Sequence, residues 1–295
     1  MSSPAPATPP PITTTSGLKM LTSEVRPIPI GNLEDVTLRV LAALRAADLV
    51  ACEDTRHTRK LLDRYGVTGA LVSYHEHNER ERAAELVERM RAGAVVALVS
   101  DSGMPLVSDP GFILVQACIA AGLSVEVLPG PSSALAALVA SGLPADRWRF
   151  VGFLPRKKAE LARLLLGTPE TLVAFESPKR LVATLALLAE HDPDRPVAVC
   201  RELTKLHEEV RRGRAAEIGA HYQREPPRGE VVLVVAAAPP GAQPDAHDRA
   251  LVALRALVEA GARARPAAKA LSELTGVPAN RLYRALTERP QQPTP

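Results

Sequence analysis

From Pro27 onward, short β-branched apolar runs alternate with longer stretches of helical periodicity. LRVLAALRAADLVACE reads as a helix feeding a strand at Leu49 to Cys52, and ERERAAELVERMRAG as an amphipathic helix closed by Gly93. AVVALVS is apolar at every position but its last, the pattern of a strand buried on both faces. GFILVQACIAAG predicts a helix closed by Gly122, SVEVLPG a strand with its exit turn, and SSALAALVASG a helix whose N-cap is Ser132 or Ser133. Strands alternating with helices in this way predict an α/β array with a mostly parallel sheet.

The periodicity breaks at GLPADRWRFVGFLPRKK, where tryptophan and two prolines interrupt it. A second βα set follows through TLVAFE, KRLVATLALLAEH, RPVAVCREL, RGRAAEIGAHYQ and EVVLVVAA, with three apolar runs that read as strands. After the linker PPGAQPD, the segment from Asp245 onward is nearly all helical, and GARARPAAKALSELTGVPANRLYRALTE has the helix, turn and helix of a helix-turn-helix unit. The domains expected are residues 25–143, residues 144–240 and a helical module at 245–290. Residues 1–24, rich in proline and threonine, read as a disordered tail. They lack the basic start and apolar core of a signal peptide.

Composition narrows the classes. At 295 residues, 46% hydrophobic and 23% charged, the chain can bury more than one core. Basic residues exceed acidic ones by only three overall, 36 against 33, but the excess lies after residue 143 and suits a polyanionic partner. Cys52, Cys118 and Cys200 lie far apart inside apolar segments and form no CxxC pair, so no metal or disulfide is expected and a reducing cytoplasm fits. No apolar run approaches the roughly eighteen residues that a membrane span needs.

The chain has neither GxGxxG after a strand nor GxxxxGK[ST], which removes the main support for a dinucleotide or P-loop site. Instead, three strand-exit loops are rich in Pro, Gly and small polar residues: PIGNLEDVT (Pro29 to Thr37), SDSGMPLVSDPG (Ser100 to Gly111) and LPGPSS (Leu128 to Ser133). In an open α/β sheet, ligands sit beyond the carboxyl ends of the strands, where such loops gather. The central loop has no lysine and carries two carboxylates, Asp101 and Asp109, which suits a ligand other than a triphosphate.

PIGNLEDVTLR, ACEDTRHTRKLL, SYHEHNE, VSDSGMPLVSDPG, LPGPSSALAAL, GFLPRK, FESPKR and CREL.K.HEE occur in this order. The series resembles the RsmI family of the tetrapyrrole-methylase-like S-adenosylmethionine (AdoMet) enzymes, which 2'-O-methylate a cytidine of 16S ribosomal RNA at the decoding centre. The resemblance implies two αβα domains with AdoMet in the cleft between them. It also implies a homodimer acting on the 30S subunit, with no role for DNA or a membrane. AdoMet offers an ammonium, a carboxylate and a ribose diol but no phosphate, so a loop without lysine is the expected chemistry. The mapping puts it against Asp101, Gly103, Met104, Leu106, Ser132 and Ser133, with Pro29, Gly31 and Asn32 near the reacting groups. Two departures stand out. Ser102 and Met104 flank Gly103 where the family has alanine and threonine, so a hydroxyl contact at 104 is lost. The first strand reads SEVRPIPIGN, with Arg26 and two prolines, and is therefore short, at an edge or rebuilt.

In EDTRHTRK, Arg56, His57, Arg59 and Lys60 are expected to touch RNA phosphates while Glu53 or Asp54 faces the reacting hydroxyl; the competing reading is a capped, solvated helix start. The histidines of SYHEHNE alternate on a segment read as extended, which points them to opposite faces and disfavours a metal. Lys179 and Arg180, in the first turn of the helix that FESPKR opens, invite an external anion. Arg201 and Glu202 occupy a comparable strand exit. Methyl transfer in line to a weakly acidic hydroxyl profits from a base, and Glu53, Asp54 and Glu202 are the candidates. Two other classes compete: a precorrin-type C-methyltransferase of the same superfamily, and a ribosome-binding module without catalysis.

Overall fold

The computed structural model describes residues 22–239 and 246–287, in two compact units divided between Ser132 and Ser133. In the first, β1 (Thr22–Arg26), β2 (Leu49–Cys52), β3 (Ala70–Ser73), β4 (Val96–Val99) and β5 (Ser124–Val127) form a wholly parallel sheet in the order β3-β2-β4-β1-β5. The helices α1 (Leu38–Ala46), α2 (Thr55–Arg64), α3 (Glu79–Arg91) and α4 (Phe112–Ala120) alternate with them. Val40 and Leu44 of α1 and Leu61 and Leu62 of α2 pack with Ala97 and Val99 on one face. Leu86 and Met90 of α3 and Leu114 and Cys118 of α4 pack with Val96 and Leu98 on the other. Every side chain of β4 is thus buried, as its unbroken apolar run requires. Gly93 and Gly122 follow α3 and α4 with φ of 100° and 70°, a left-handed turn that glycine adopts without steric cost.

The first strand is short but central, not at an edge: Val25 pairs with Leu98 on one side and Val127 on the other. It starts at Thr22, so residues 22–24 are strand where disorder was expected; the rest of that expected tail lies outside the described residues. Pro27 falls just past the last paired residue, where its missing donor costs no ladder bond. Arg26 is completely buried and ion-paired with Glu24; burial pulls its guanidinium down to about 10, still protonated near neutrality.

In the second unit, α5 (Ser133–Ser141) packs on β7, β8 and β10, which is why the division precedes this helix instead of following it at residue 143. The sheet runs β6-β7-β10-β8-β9, made of β6 (Trp148–Phe153), β7 (Thr171–Glu176), β8 (Pro196–Arg201), β9 (Glu209–Arg214) and β10 (Val231–Val235). Only β6 and β7 pair parallel; the other neighbours are antiparallel. Five strands therefore replace the three expected. The additional two are the edges: WRFVGF lies in the segment read as a break, and EVRRGR carries three arginines. Helices α6 (Lys158–Gly167), α7 (Pro178–His191) and α8 (Ala215–Arg224) complete the layer. The terminal module has α9 (Ala246–Glu259), α10 (Ala264–Thr275) and α11 (Ala279–Thr287) around Leu254, Ala268 and Leu282. Gly276, at φ 72°, makes the turn before α11. Among the described residues no helix is long and apolar enough to cross a membrane.

Leu98 stands in the middle of the first sheet at 1% exposure. Leu98→Ala should cost about 2–5 kcal/mol, seen as a lower urea midpoint with an unchanged slope; an unchanged midpoint would mean that this face collapses around the gap.

Candidate functional site at the carboxyl end of the first sheet

β1 and β4 are neighbours, yet the chain leaves β1 for a helix on one face of the sheet and leaves β4 for a helix on the opposite face. The two exit loops therefore part at this point, the topological switch at which open α/β sheets bind ligands. A pair of backbone hydrogen bonds clasps them: Ile28 N donates to Gly103 O at 2.9 Å and Gly103 N to Ile28 O at 3.0 Å. Gly103 has φ 75°, and a Cβ there would come within 3.2 Å of Ile30 Cγ2 and 3.5 Å of the Pro131 carbonyl. The third loop closes on the same point, with Gly130 packed so tightly on the Pro27 ring that a side chain has no room. All three strand-exit loops thus converge, and Gly103 is where they touch.

Around this knot, Ser100 Oγ donates to the Gly103 carbonyl at 3.2 Å. Met104 is half-buried against the α3–α4 core. Leu106 and Ser108 hold φ of 71° and 66°, left-handed values that cost a non-glycine residue on the order of 1 kcal/mol or more. Gly31 and Asn32 form the turn after Pro29, and Asn32 Oδ1 accepts from Glu34 N at 3.1 Å. Ser132 ends the first unit and Ser133 opens α5.

Asp101 Oδ1 accepts the backbone N–H of Asp54 at 2.9 Å, joining the β4 exit to the start of α2. Asp54 is the N-cap of that helix, accepting from Arg56 N at 2.8 Å and from the Arg56 guanidinium at 2.9 and 3.2 Å. Those bonds hold its carboxyl down at about 2, a weak proton acceptor near neutrality. Glu53 differs: burial, then the negative charge of Asp101, push its carboxyl up. It lines a cleft of about 360 Å³ with Glu76, Glu79, Asp109 and Phe112. Asp109 in that cleft is raised to about 7, first by burial and then by the charge of Glu53, against a hydrogen bond from Ser100. Asp109 was visible in the sequence as the second carboxylate of its loop, but its burial beside Glu53 depends on the fold. On α2, Thr58, Leu61 and Leu62 turn inward while Arg56, His57, Arg59 and Lys60 are all exposed.

The histidine segment is not extended. Residues after Tyr74 turn, Asn78 Oδ1 accepts from His75 N at 2.9 Å, and the His75 and His77 rings stand 5.9 Å apart instead of on opposite faces. Among the described residues, no three His, Cys, Asp or Glu side chains are grouped to hold a metal.

The second-unit candidates are largely committed to the fold. Buried Glu176 accepts from Ser177 N at 2.7 Å and Thr184 Oγ1 at 2.6 Å, with Arg180 Nη2 at 3.4 Å, so the anion at the start of α7 is the protein's own. Arg180 also donates to the Leu154 and Pro155 carbonyls at 3.1 and 2.7 Å. Lys179 remains exposed. Arg201 binds Glu209 at 3.0 Å and the Arg228 carbonyl at 3.3 Å. Glu202 accepts from Glu230 N at 2.9 Å and Lys205 Nζ at 3.0 Å, contacts that lower its carboxyl. It is a poor base for the same reason as Asp54.

A carboxyl raised in the fold keeps its proton longer folded than unfolded, so folding takes up protons and stability falls as pH rises from 3.8 to about 7. Asp109→Asn lacks this slope, and its Tm relative to the parent should rise between pH 5 and pH 8. Parallel Tm profiles would show that Asp109 titrates as an ordinary surface acid.

Residues 27–219 match the family model of tetrapyrrole (corrin/porphyrin) methylases. The ribosomal RNA small subunit methyltransferase I of Mesorhizobium japonicum is 48% identical, with 88% of this chain and 89% of that protein covered. The protein of the same name from Micromonospora olivasterospora is 46% identical over 89% of this chain and 86% of its own length. Among solved structures, a uroporphyrin-III-C-methyltransferase from Thermus thermophilus matches with a TM-score of 0.55 and 27% identity, covering 73% of this chain and 94% of that one. The clasped loops at the β1–β4 switch are thus set in a chain that belongs to the tetrapyrrole methylase family, in its branch of ribosomal RNA small subunit methyltransferases I.

Proposed function

We propose that this protein is an AdoMet-dependent methyltransferase that modifies the ribose 2'-oxygen of a cytidine in the 16S rRNA of the 30S subunit. The hydrogen bond from Asp54 N to Asp101 Oδ1 carries the reading. It ties the loop with the chemistry for AdoMet to the helix whose outer face is basic.

The donor set fits the cofactor. The loops provide a carboxylate at Asp101, backbone carbonyls and hydroxyls, with no lysine for a phosphate. Asp101, Gly103, Met104, Leu106, Ser132 and Ser133 would hold AdoMet, with Pro29, Gly31 and Asn32 close to its reactive end; at position 104 the contact is through backbone. Bound AdoMet supplies an electrophilic sulfonium methyl and a neutral thioether leaving group. The protein's part is to align the ribose hydroxyl, which can be worth up to about 7–11 kcal/mol, and to accept its proton, worth roughly 10² to 10⁴-fold. Asp109, held near 7, suits the second task better than Asp54 or Glu202, since a carboxylate at that value takes the proton most effectively at neutral pH, and Glu53 beside it is raised in the same direction. Arg56, His57, Arg59 and Lys60 face solvent, which supports their meeting phosphates. The Arg56–Asp54 pair is exposed and is released at little cost. The same reading carries a cytoplasmic homodimer.

Incubation with 30S subunits from a strain lacking this modification, followed by mass spectrometry of the 16S rRNA, should show one new ribose methyl on a cytidine; transfer to a tetrapyrrole alone would defeat the proposal. Asp101→Asn keeps an acceptor for Asp54 N but loses the charge, and should weaken AdoMet binding roughly tenfold or more in calorimetry. An unchanged affinity would take Asp101 out of the site. Alanine at both Arg56 and Arg59 should flatten the salt dependence of 30S binding by about one unit per lost contact without touching AdoMet affinity. A parental slope would make this face a solvated helix start.

A further inference from the structure

β6 contains an irregularity with a directional effect. Phe150 pairs with Val173 and Phe153 with Phe175, so three residues of β6 advance against two of β7. Gly152 lies in the inserted stretch at φ 63°, a value that glycine takes without strain. Side chains three apart on a regular strand point to opposite faces. The bulge cancels that alternation: the rings of Phe150 and Phe153 both meet the Phe175 ring edge-on, at 5.0 and 5.5 Å. Leu154 then turns into the core at 2% exposure, whereas Phe153 is left 64% exposed at the strand's end.

The turn beyond it is held firmly. Leu154 N donates to the Phe175 carbonyl at 3.1 Å, and Arg180 grips the Leu154 and Pro155 carbonyls while facing buried Glu176. Next come Arg156, Lys157 and Lys158, all exposed. Lys157 meets Glu160 at 3.2 Å and Lys158 meets Glu190 at 4.0 Å, pairs too solvated to compete with a polyanion. The same turn borders a basin of about 430 Å³ lined by Arg156, Lys158, Arg180 and Thr184.

An aromatic face supported from its edge, beside three cations on a rigid turn, is the arrangement that binds unpaired nucleotides: the ring stacks a base and the cations follow the backbone. Resting on the rRNA reading above, we infer that Phe153 is a stacking platform for one unpaired nucleobase of the RNA substrate, with Arg156, Lys157 and Lys158 on the flanking phosphates. Arg180 acts through the backbone it holds, as a positioning residue. The charge of the turn selects this occupant over an apolar protein partner.

The test uses full-length protein and a fluorescent, unstructured ribo-oligonucleotide, followed by anisotropy at several salt concentrations. Phe153→Ala should weaken binding by roughly 5- to 150-fold, the equivalent of one lost base stack, and leave the salt slope unchanged. Phe153→Trp should restore the affinity. Alanine at Arg156, Lys157 and Lys158 together should flatten the slope instead. AdoMet affinity by calorimetry and oligomeric state by light scattering should match the parent in every variant. Parental RNA affinity in Phe153→Ala overturns the inference. So does a loss of AdoMet binding, which would put the cofactor on the ring, or a changed oligomeric state, which would put a second copy there. If the parent fails to methylate 30S subunits, the rRNA reading falls separately, since the oligonucleotide titration does not depend on turnover.

Discussion

The first unit's site hangs on two hydrogen bonds between Ile28 and Gly103. Neither belongs to a strand, yet they join the exits of the two central strands at the point where the chain departs to opposite faces. Without the clasp, a loop bearing two non-glycine residues at positive φ and two carboxylates has little reason to stay compact. The surrounding sequence serves this contact. Pro27 ends β1 where a further ladder bond would otherwise pull Ile28 into the sheet. Gly103 supplies the backbone turn, and Gly130 lets the third loop close over Pro27.

Charge is sorted by depth around that knot. Carboxylates face inward: burial and the charge of Asp101 raise Glu53, and burial and the charge of Glu53 raise Asp109 to about 7. Cations face outward on α2, in solvent, where a counterion is released cheaply when a phosphate replaces it. Asp54 stands between the two groups. As helix cap and Arg56 partner it stays ionised, and its backbone N–H is fastened to Asp101. A single residue thereby sets the spacing between the carboxylate cleft and the basic face, without belonging to either.

What the sequence showed well was whatever depends on local pattern. The runs of β2, β4 and β5, the closing glycines 93 and 122 and the three exit loops all register as periodicity or turn chemistry. The second sheet was less visible because its edges are not apolar. EVRRGR carries three arginines on a half-buried edge, and WRFVGF carries a bulge that breaks the period of two. Partnerships were the least visible of all. Nothing in FESPKR reveals that Glu176 is buried and supplies the anion that Arg180 requires, or that Glu202 is consumed by Lys205 and the Glu230 amide. Titratable residues of equal promise in sequence separate only when burial and neighbours are known: Asp54 and Asp109 belong to similar strand exits, and their carboxyls lie at about 2 and about 7.

That separation bears on how one active site handles opposite charges. A polyanionic substrate raises the proton affinity of every carboxylate near it, so a base that titrates at about 7, as Asp109 does, would be protonated and silenced on binding. With phosphates against Arg56, Arg59 and Lys60, as proposed, each one neutralised would lower the negative potential felt by Glu53 and Asp109. On the proposed reading the cations of α2 would do more than grip: by screening the substrate's charge at the mouth of the site, they would keep the carboxylate cleft able to accept a proton when the ribose is in place.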